Sequence, residues 1–160
     1  MLKYRFQWNF PIFFSPHNPK RLYCAGNALF VTENEGASWE QISPDLTTND
    51  KSKQLSSGGP ITKDNTSVEY YCTIFTATES SLEKDLLWTG SDDGLVQMTR
   101  DGGATWKDLE KGFLNCGVLD RNTFVATKAK EKGIWRSTDA GATWTEVSTN
   151  TPPAGTPVGF

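Results

Sequence analysis

Short apolar runs recur along the chain, and each is ended by Gly, Asn, Asp, Ser or Pro. The runs 11–14, 21–25, 28–31 and 39–42 alternate with polar segments, among them the turn 15–19. The same rhythm returns in 70–76, 86–89, 95–98 and 106–109, and again in 115–119, 123–127, 133–136 and 144–147. Runs this short, bounded by turn formers, predict strands, and strong helix formers nowhere gather at a 3.6-residue period. The expectation is an all-β chain of short strands in groups of four.

A repeat sharpens this reading. Thr32-Glu-Asn-Glu-Gly-Ala-Ser-Trp39, Thr99-Arg-Asp-Gly-Gly-Ala-Thr-Trp106 and Ser137-Thr-Asp-Ala-Gly-Ala-Thr-Trp144 align without gaps on the pattern [ST]-x-[DN]-x-G-A-[ST]-W. Each copy lies between two strand-like runs and therefore joins a hairpin. Asn34, Asp101 and Asp139 are suited to accept backbone N–H bonds inside the turn. Gly36, Gly103 and Gly141 supply positive φ without steric cost. Ser38, Thr105 and Thr143 add a side-chain bond, and Trp39, Trp106 and Trp144 fold a large apolar ring over the turn. The acidic residue of such a turn is committed to backbone donors and is a poor candidate for chemistry.

Four short strands per unit predict a β-propeller-type array of about three four-stranded blades. The divisions are blade one at 1–45, a long polar loop at 46–67, blade two at 68–112, blade three at 113–149 and a Pro/Gly-rich tail, or the start of another blade, at 150–160. Trp39 and Trp106 stand 67 residues apart but Trp106 and Trp144 only 38, so about 25 extra residues, 43–67, fall between the first two boxes. That stretch reads as a loop from a fourth strand to the next first strand, on the face where propellers bind ligands, and serves either as a functional or as a passive loop.

The three octapeptides resemble the Asp-box, or BNR, repeat of sialidases, xyloglucan-cleaving glycosidases, sortilin-like receptors and photosystem assembly factors. Residues 7–109, with Trp8-Asn-Phe-Pro-Ile12, Ser15-Pro-His-Asn-Pro19, Leu22-Tyr-Cys-Ala-Gly-Asn27 and Ser43-Pro-Asp-Leu-Thr47, are similar to large bacterial sortilin-like (VPS10-type) repeat proteins. The third unit is closer to the glycosidase branch, so a chain joined from two sources is an alternative. The resemblance implies that each box joins the third and fourth strands of a blade, on the side away from the usual active site. It also implies an extracytoplasmic setting: secreted, periplasmic or cell-surface. Closed propellers need about 4 to 8 blades; three would leave two open edges. Further blades, in the same or another chain, are the expected partners.

Charge and composition narrow the chemistry. The net charge of -3, on 16 basic and 19 acidic residues, argues against a nucleic-acid surface. Lys128, Lys130 and Lys132 cluster, but Glu131 sits among them. No apolar run approaches the roughly 20 residues of a membrane span, and the N-terminus has no signal-peptide pattern. Cys24, Cys72 and Cys116 are isolated in apolar stretches, read as buried thiols, and offer neither a metal site nor a disulfide framework. No cofactor motif is present. His17, the single histidine, sits in a Pro-flanked turn and reads as a surface residue, so no Ser/His/Asp or Cys/His set can form. The arginines (Arg5, Arg21, Arg100, Arg121 and Arg136) do not match the sialidase arrangement. Asp92 and Asp93 offer the paired carboxylates a glycosidase needs, yet a tight polar hairpin explains them equally well. Trp8, Tyr70 and Tyr71 lie near the expected binding face and either stack on a sugar, anchor a protein partner or pack between blades. Asn65-Thr-Ser67 is a glycosylation sequon. The reading is a non-catalytic module binding a protein or glycan; the alternatives are part of a glycoside hydrolase and a purely structural blade array.

Overall fold

A computed structural model describes residues 3–56, 58–64, 68–111, 113–118, 124–128, 133–139 and 142–148. Gly141, the sequon 65–67, Arg121, Lys130–132 and the tail from 149 lie outside them, as does the side chain of Cys116.

The strands form three antiparallel sheets of four, each in chain order. Sheet 1 holds β1 (Ile12–Phe14), β2 (Leu22–Ala25), β3 (Leu29–Thr32) and β4 (Glu40–Gln41). Sheet 2 holds β5 (Ile74–Glu79), β6 (Leu87–Ser91), β7 (Leu95–Thr99) and β8 (Lys107–Lys111). Sheet 3 holds β9 (Phe113–Val118), β10 (Phe124–Lys128), β11 (Ile134–Ser137) and β12 (Thr145–Glu146).

Period-2 alternation decides which residues reach the core. Tyr23, Ala25 and Leu29 of sheet 1 meet Ile74 and Leu87 of sheet 2, with Leu46 from the intervening loop and Phe13, Val31, Ile42 and Trp106 at the margin. The opposite face of sheet 2 offers Leu86, Trp88, Val96 and Met98, on which Trp135 and Trp144 of sheet 3 pack. Sheet 2 is thus covered on both faces, and each fully buried large apolar side chain contributes about 1.5–3 kcal/mol.

One strand begins later than its apolar run suggests. Residues 70–76 read as the first strand of the second unit, but β5 starts at Ile74. Glu69 and Cys72 adopt positive φ (72° and 64°), which breaks extended geometry, so Tyr70 and Tyr71 stand in the loop ahead of the strand.

The three octapeptide turns share their hydrogen bonds. Asn34 Oδ1 accepts the Ser38 N–H at 3.0 Å, Asp101 Oδ1 the Thr105 N–H at 2.8 Å, and Asp139 Oδ1 the Thr143 N–H at 2.8 Å. Gly36 and Gly103 take φ of 85° and 107°. Trp106 does more than cover its own turn. Its Nε1 donates to Ile42 O of sheet 1 at 3.0 Å as well as to Gly103 O at 3.1 Å, so the ring pins sheet 2 to sheet 1.

At the same end, Arg21 bridges the sheets by pairing with Glu33 (2.7 Å) and Asp85 (3.2 Å). His17 is an exposed turn residue, as its sequence suggests, but it is also a link: its Nε2 lies 2.7 Å from Ser80 O of the second unit.

Candidate functional site

Strand order places the β2–β3 turn, the 43–73 connection and the β6–β7 turn at the end opposite the octapeptide turns. The N-terminal segment crosses this end, and a polar network knits the pieces together. Arg5, buried despite its charge, donates through Nε to Cys72 O (3.1 Å) and through Nη2 to Asp45 Oδ2 (2.7 Å) and Thr47 Oγ1 (3.1 Å). Asn27 donates to the same Asp45 oxygen at 2.9 Å and accepts the Arg5 N–H at 2.9 Å. Burial alone would raise the Asp45 pKa, but the bonds from Thr47, Arg5 and Asn27 outweigh it and hold the carboxyl below its ordinary value. A buried charge needs such satisfaction, and removing one partner of a pair like this costs about 3–5 kcal/mol.

Asp92 and Asp93 belong to the same fabric. Asp92 accepts the Thr73 N–H at 2.9 Å on one oxygen and the Thr73 hydroxyl at 3.0 Å on the other. Asp93 Oδ2 accepts the Thr48 N–H (2.8 Å) and hydroxyl (2.7 Å), and its Oδ1 takes a short bond from Ser91 Oγ. Three of the four carboxylate oxygens therefore hold the β6–β7 turn to the 43–73 connection, and the fourth is engaged within the turn. Burial pushes the Asp92 carboxyl above its usual range, and burial likewise raises the Cys72 thiol, which touches Thr48 Oγ1.

The aromatics stand outside this network. Trp8 is 62% exposed, and its Nε1 donates to Glu69 at 2.7 Å, which fixes the ring. Gln7 Nε2 donates to Tyr70 O at 2.6 Å, bringing the Trp8 segment beside the two tyrosines. Lys53 sits 5.5 Å from the centre of the Tyr71 ring. Lys53 belongs to a 3-10 turn, Lys51–Lys53, which Asp50 caps by accepting the Ser52 N–H. Beyond it the loop surface turns apolar, with Leu55 81% and Ile61 94% exposed. Two open grooves of about 360 and 660 Å3 lie at the other end of sheet 1, lined by Arg21, Glu33, Asn34 and Glu40 and by Phe14, Leu22 and Glu33 respectively. Neither is lined by Trp8, Tyr70, Tyr71, Asp92 or Asp93.

The sequence signalled the aromatics and the aspartates but not Arg5. Its one trace was a lone cation among the aromatic residues 4–10. Among the described residues no helix is long and apolar enough to cross a membrane.

Sheets of this build, stacked face to face, define an all-β, β-propeller-type blade array. No family model matches the chain. It is similar to vacuolar protein sorting/targeting protein 10 of Clavispora lusitaniae, 26% identical over 71% of this chain and 9% of that protein. The corresponding protein of Debaryomyces hansenii is 25% identical over 71% of this chain and 8% of that protein. The chain spans less than a tenth of the length of these relatives. Among solved structures, the GH74 xyloglucanase from Xanthomonas campestris matches with a TM-score of 0.62 at 14% identity, over 91% of this chain and 23% of that one. YCF48 from Cyanidioschyzon merolae matches at 0.55 and 16% identity, over 84% and 38%. YCF48 bound to D1 peptide matches at 0.51 and 14% identity, over 89% and 42%. At these identities the solved structures show the propeller fold alone.

Proposed function

We propose that the chain is a non-catalytic propeller module, that its three octapeptide turns are Asp boxes, and that it binds a protein partner at the end carrying Trp8, Tyr70 and Tyr71. One observation carries this reading. The exposed Trp8 ring is held in place by Glu69, while every carboxylate oxygen of Asp92 and Asp93 at the same end is already engaged. A fixed, exposed aromatic is a low-entropy anchor for a partner. The peptide-bound neighbour supports a protein ligand over a glycan, and the similarity to sorting receptors supports a lumenal or extracytoplasmic setting.

The test is an array of short peptides, with a glycan array in parallel, probed with the chain and with Trp8→Ala/Tyr70→Ala. The expected result is peptide binding that the double variant weakens by tenfold or more at unchanged melting temperature. Binding unaffected by the substitutions sinks the site, and glycan binding alone sinks the partner class.

A second reading, part of a glycoside hydrolase, rests on Asp92, whose carboxyl is held high by burial as a general acid requires. Xyloglucan cleavage that disappears in Asp92→Asn would establish it and remove the non-catalytic reading.

A further inference from the structure

The fold already shows what its aromatic rings attract. Lys53 sits over the Tyr71 ring at 5.5 Å and Lys3 over the Tyr4 ring at 4.9 Å, each an ammonium on an aromatic face. Trp8 offers the ring type that holds a cation best. It is 62% exposed, and among the described residues its face carries no cation of the chain's own. Its edge, by contrast, is committed: Nε1 donates to Glu69 Oε1 at 2.7 Å.

That edge bond sets the chemistry of the face. An indole N–H held by a carboxylate pushes electron density back into the ring, and the carboxylate adds a negative charge beside it. Glu69 reaches this position through a backbone that such a residue rarely adopts, with a φ of 72°, and Cys72 repeats the departure at 64°. The two kinks bracket Tyr70 and Tyr71, and Gln7 Nε2, donating to Tyr70 O at 2.6 Å, ties the Trp8 segment to them. Strain of this kind persists only where the surrounding bonds enforce it, and it collects at ligand clamps. The neighbouring carboxylates favour the same guest: Asp92 and Asp93 act on the Tyr71 hydroxyl in opposition to Lys53.

We infer that the Trp8 ring, with Glu69 at its edge, receives a basic side chain of the protein partner, arginine ahead of lysine, laid on the indole face with its charge toward the carboxylate. Arginine leads because its planar, weakly hydrated guanidinium stacks on a ring and still pairs with a carboxylate. Lys53, the chain's own cation on Tyr71, opposes the incoming charge. The inference rests on the protein-partner reading above and names the chemistry that partner brings, and the two fail by different results.

Surface plasmon resonance on the immobilised chain tests it, with capped Gly-Ser-X repeat peptides in which X is arginine, lysine, norleucine or glutamate. The arginine peptide should bind about tenfold tighter than the norleucine peptide, and the glutamate peptide should not bind. Trp8→Leu should weaken the arginine peptide about tenfold. Glu69→Gln keeps an acceptor for the indole N–H and removes the charge, and it should weaken binding about fivefold at unchanged melting temperature. Lys53→Gln should strengthen it about threefold. Glu35→Gln makes the same charge change on an exposed residue of the first octapeptide turn and should leave binding as it was. Norleucine binding as tight as arginine binding, and lost in Trp8→Leu, overturns the inference while the protein-partner reading stands. Arginine binding indifferent to Trp8→Leu overturns both. No binding of the arginine peptide, or tighter binding of the glutamate one, overturns the inference. So does an equal loss in Glu35→Gln and Glu69→Gln, the mark of general attraction to an acidic chain.

Discussion

The first and second octapeptide turns have nearly the same sequence and the same local bonds, yet their tryptophans live in different surroundings. In both, the opening threonine hydroxyl bonds to the side chain two residues on, at 2.8 Å to Asn34 and 2.6 Å to Asp101. Apart from the Trp106 Nε1 bond to Gly103 O, for which Trp39 shows no counterpart among the described residues, the two differ in one bond. Asn34 Nδ2 donates to Ser38 Oγ at 2.8 Å, whereas Asp101 Oδ2 accepts from Thr105 Oγ1 at 2.6 Å, so the polarity is reversed and the link kept. Trp39 then faces solvent, while Trp106 reaches the neighbouring sheet. The turn is therefore a local device, complete without a neighbour, and the bond between sheets is an addition that depends on what lies next to it.

The largest test of that distinction is the tryptophan pair. Trp106→Ala should cost about 3 kcal/mol, through lost burial and two lost bonds, whereas Trp39→Ala should cost less than about 1 kcal/mol, by urea unfolding. Equal costs would mean that the Trp106 contact with sheet 1 adds nothing. The glycines come next. A Cβ on Gly103 would stand 2.3 Å from Ile42 O at a φ of 107°, but one on Gly36 would meet nothing closer than 3.6 Å at 85°. Gly103→Ala should therefore lose about 2–3 kcal/mol and Gly36→Ala about 1 kcal/mol.

The smallest effect is in acid. The hydroxyls of Thr105 and Thr99 and the Thr105 N–H hold the Asp101 carboxyl down to about 2, from an ordinary 3.8. A carboxyl depressed on folding stabilises above its unfolded value, and that contribution is lost as pH falls toward the folded one. Asp101→Asn should flatten stability between pH 3.8 and about 2, and Asn34→Asp should introduce a new slope there, both read from melting temperature against pH.

The fold class was legible because each strand is a short apolar run between turn formers and because the octapeptide repeats. The late start of β5 was hidden, since Tyr70 and Tyr71 have strand-like composition and only the positive φ of Glu69 and Cys72 excludes them. The Trp106 bond was hidden for another reason: its acceptor is a main-chain carbonyl 64 residues away, which leaves no trace in side-chain type. At the candidate site the aromatics were legible and the clamp was not. Asp92 and Asp93 read as a carboxylate pair, but their partners Thr73 and Thr48 reach them only through folding. Arg5 gathers Asp45, Thr47 and Cys72 from loops 40 to 67 residues distant, a convergence no local pattern announces.

The face of sheet 1 turned away from sheet 2 also has a chemical side. Cys24 points the same way as Ile12, its cross-strand partner, and burial pushes its thiol up to about 11. At neutral pH only about one molecule in ten thousand carries the thiolate. A half-covered sulfur on an apolar surface would otherwise invite oxidation and unwanted cross-links between chains; here it stays protonated and slow toward alkylating reagents. Its rate of iodoacetamide labelling is therefore a built-in gauge of how open that surface is, one that needs no substitution to read.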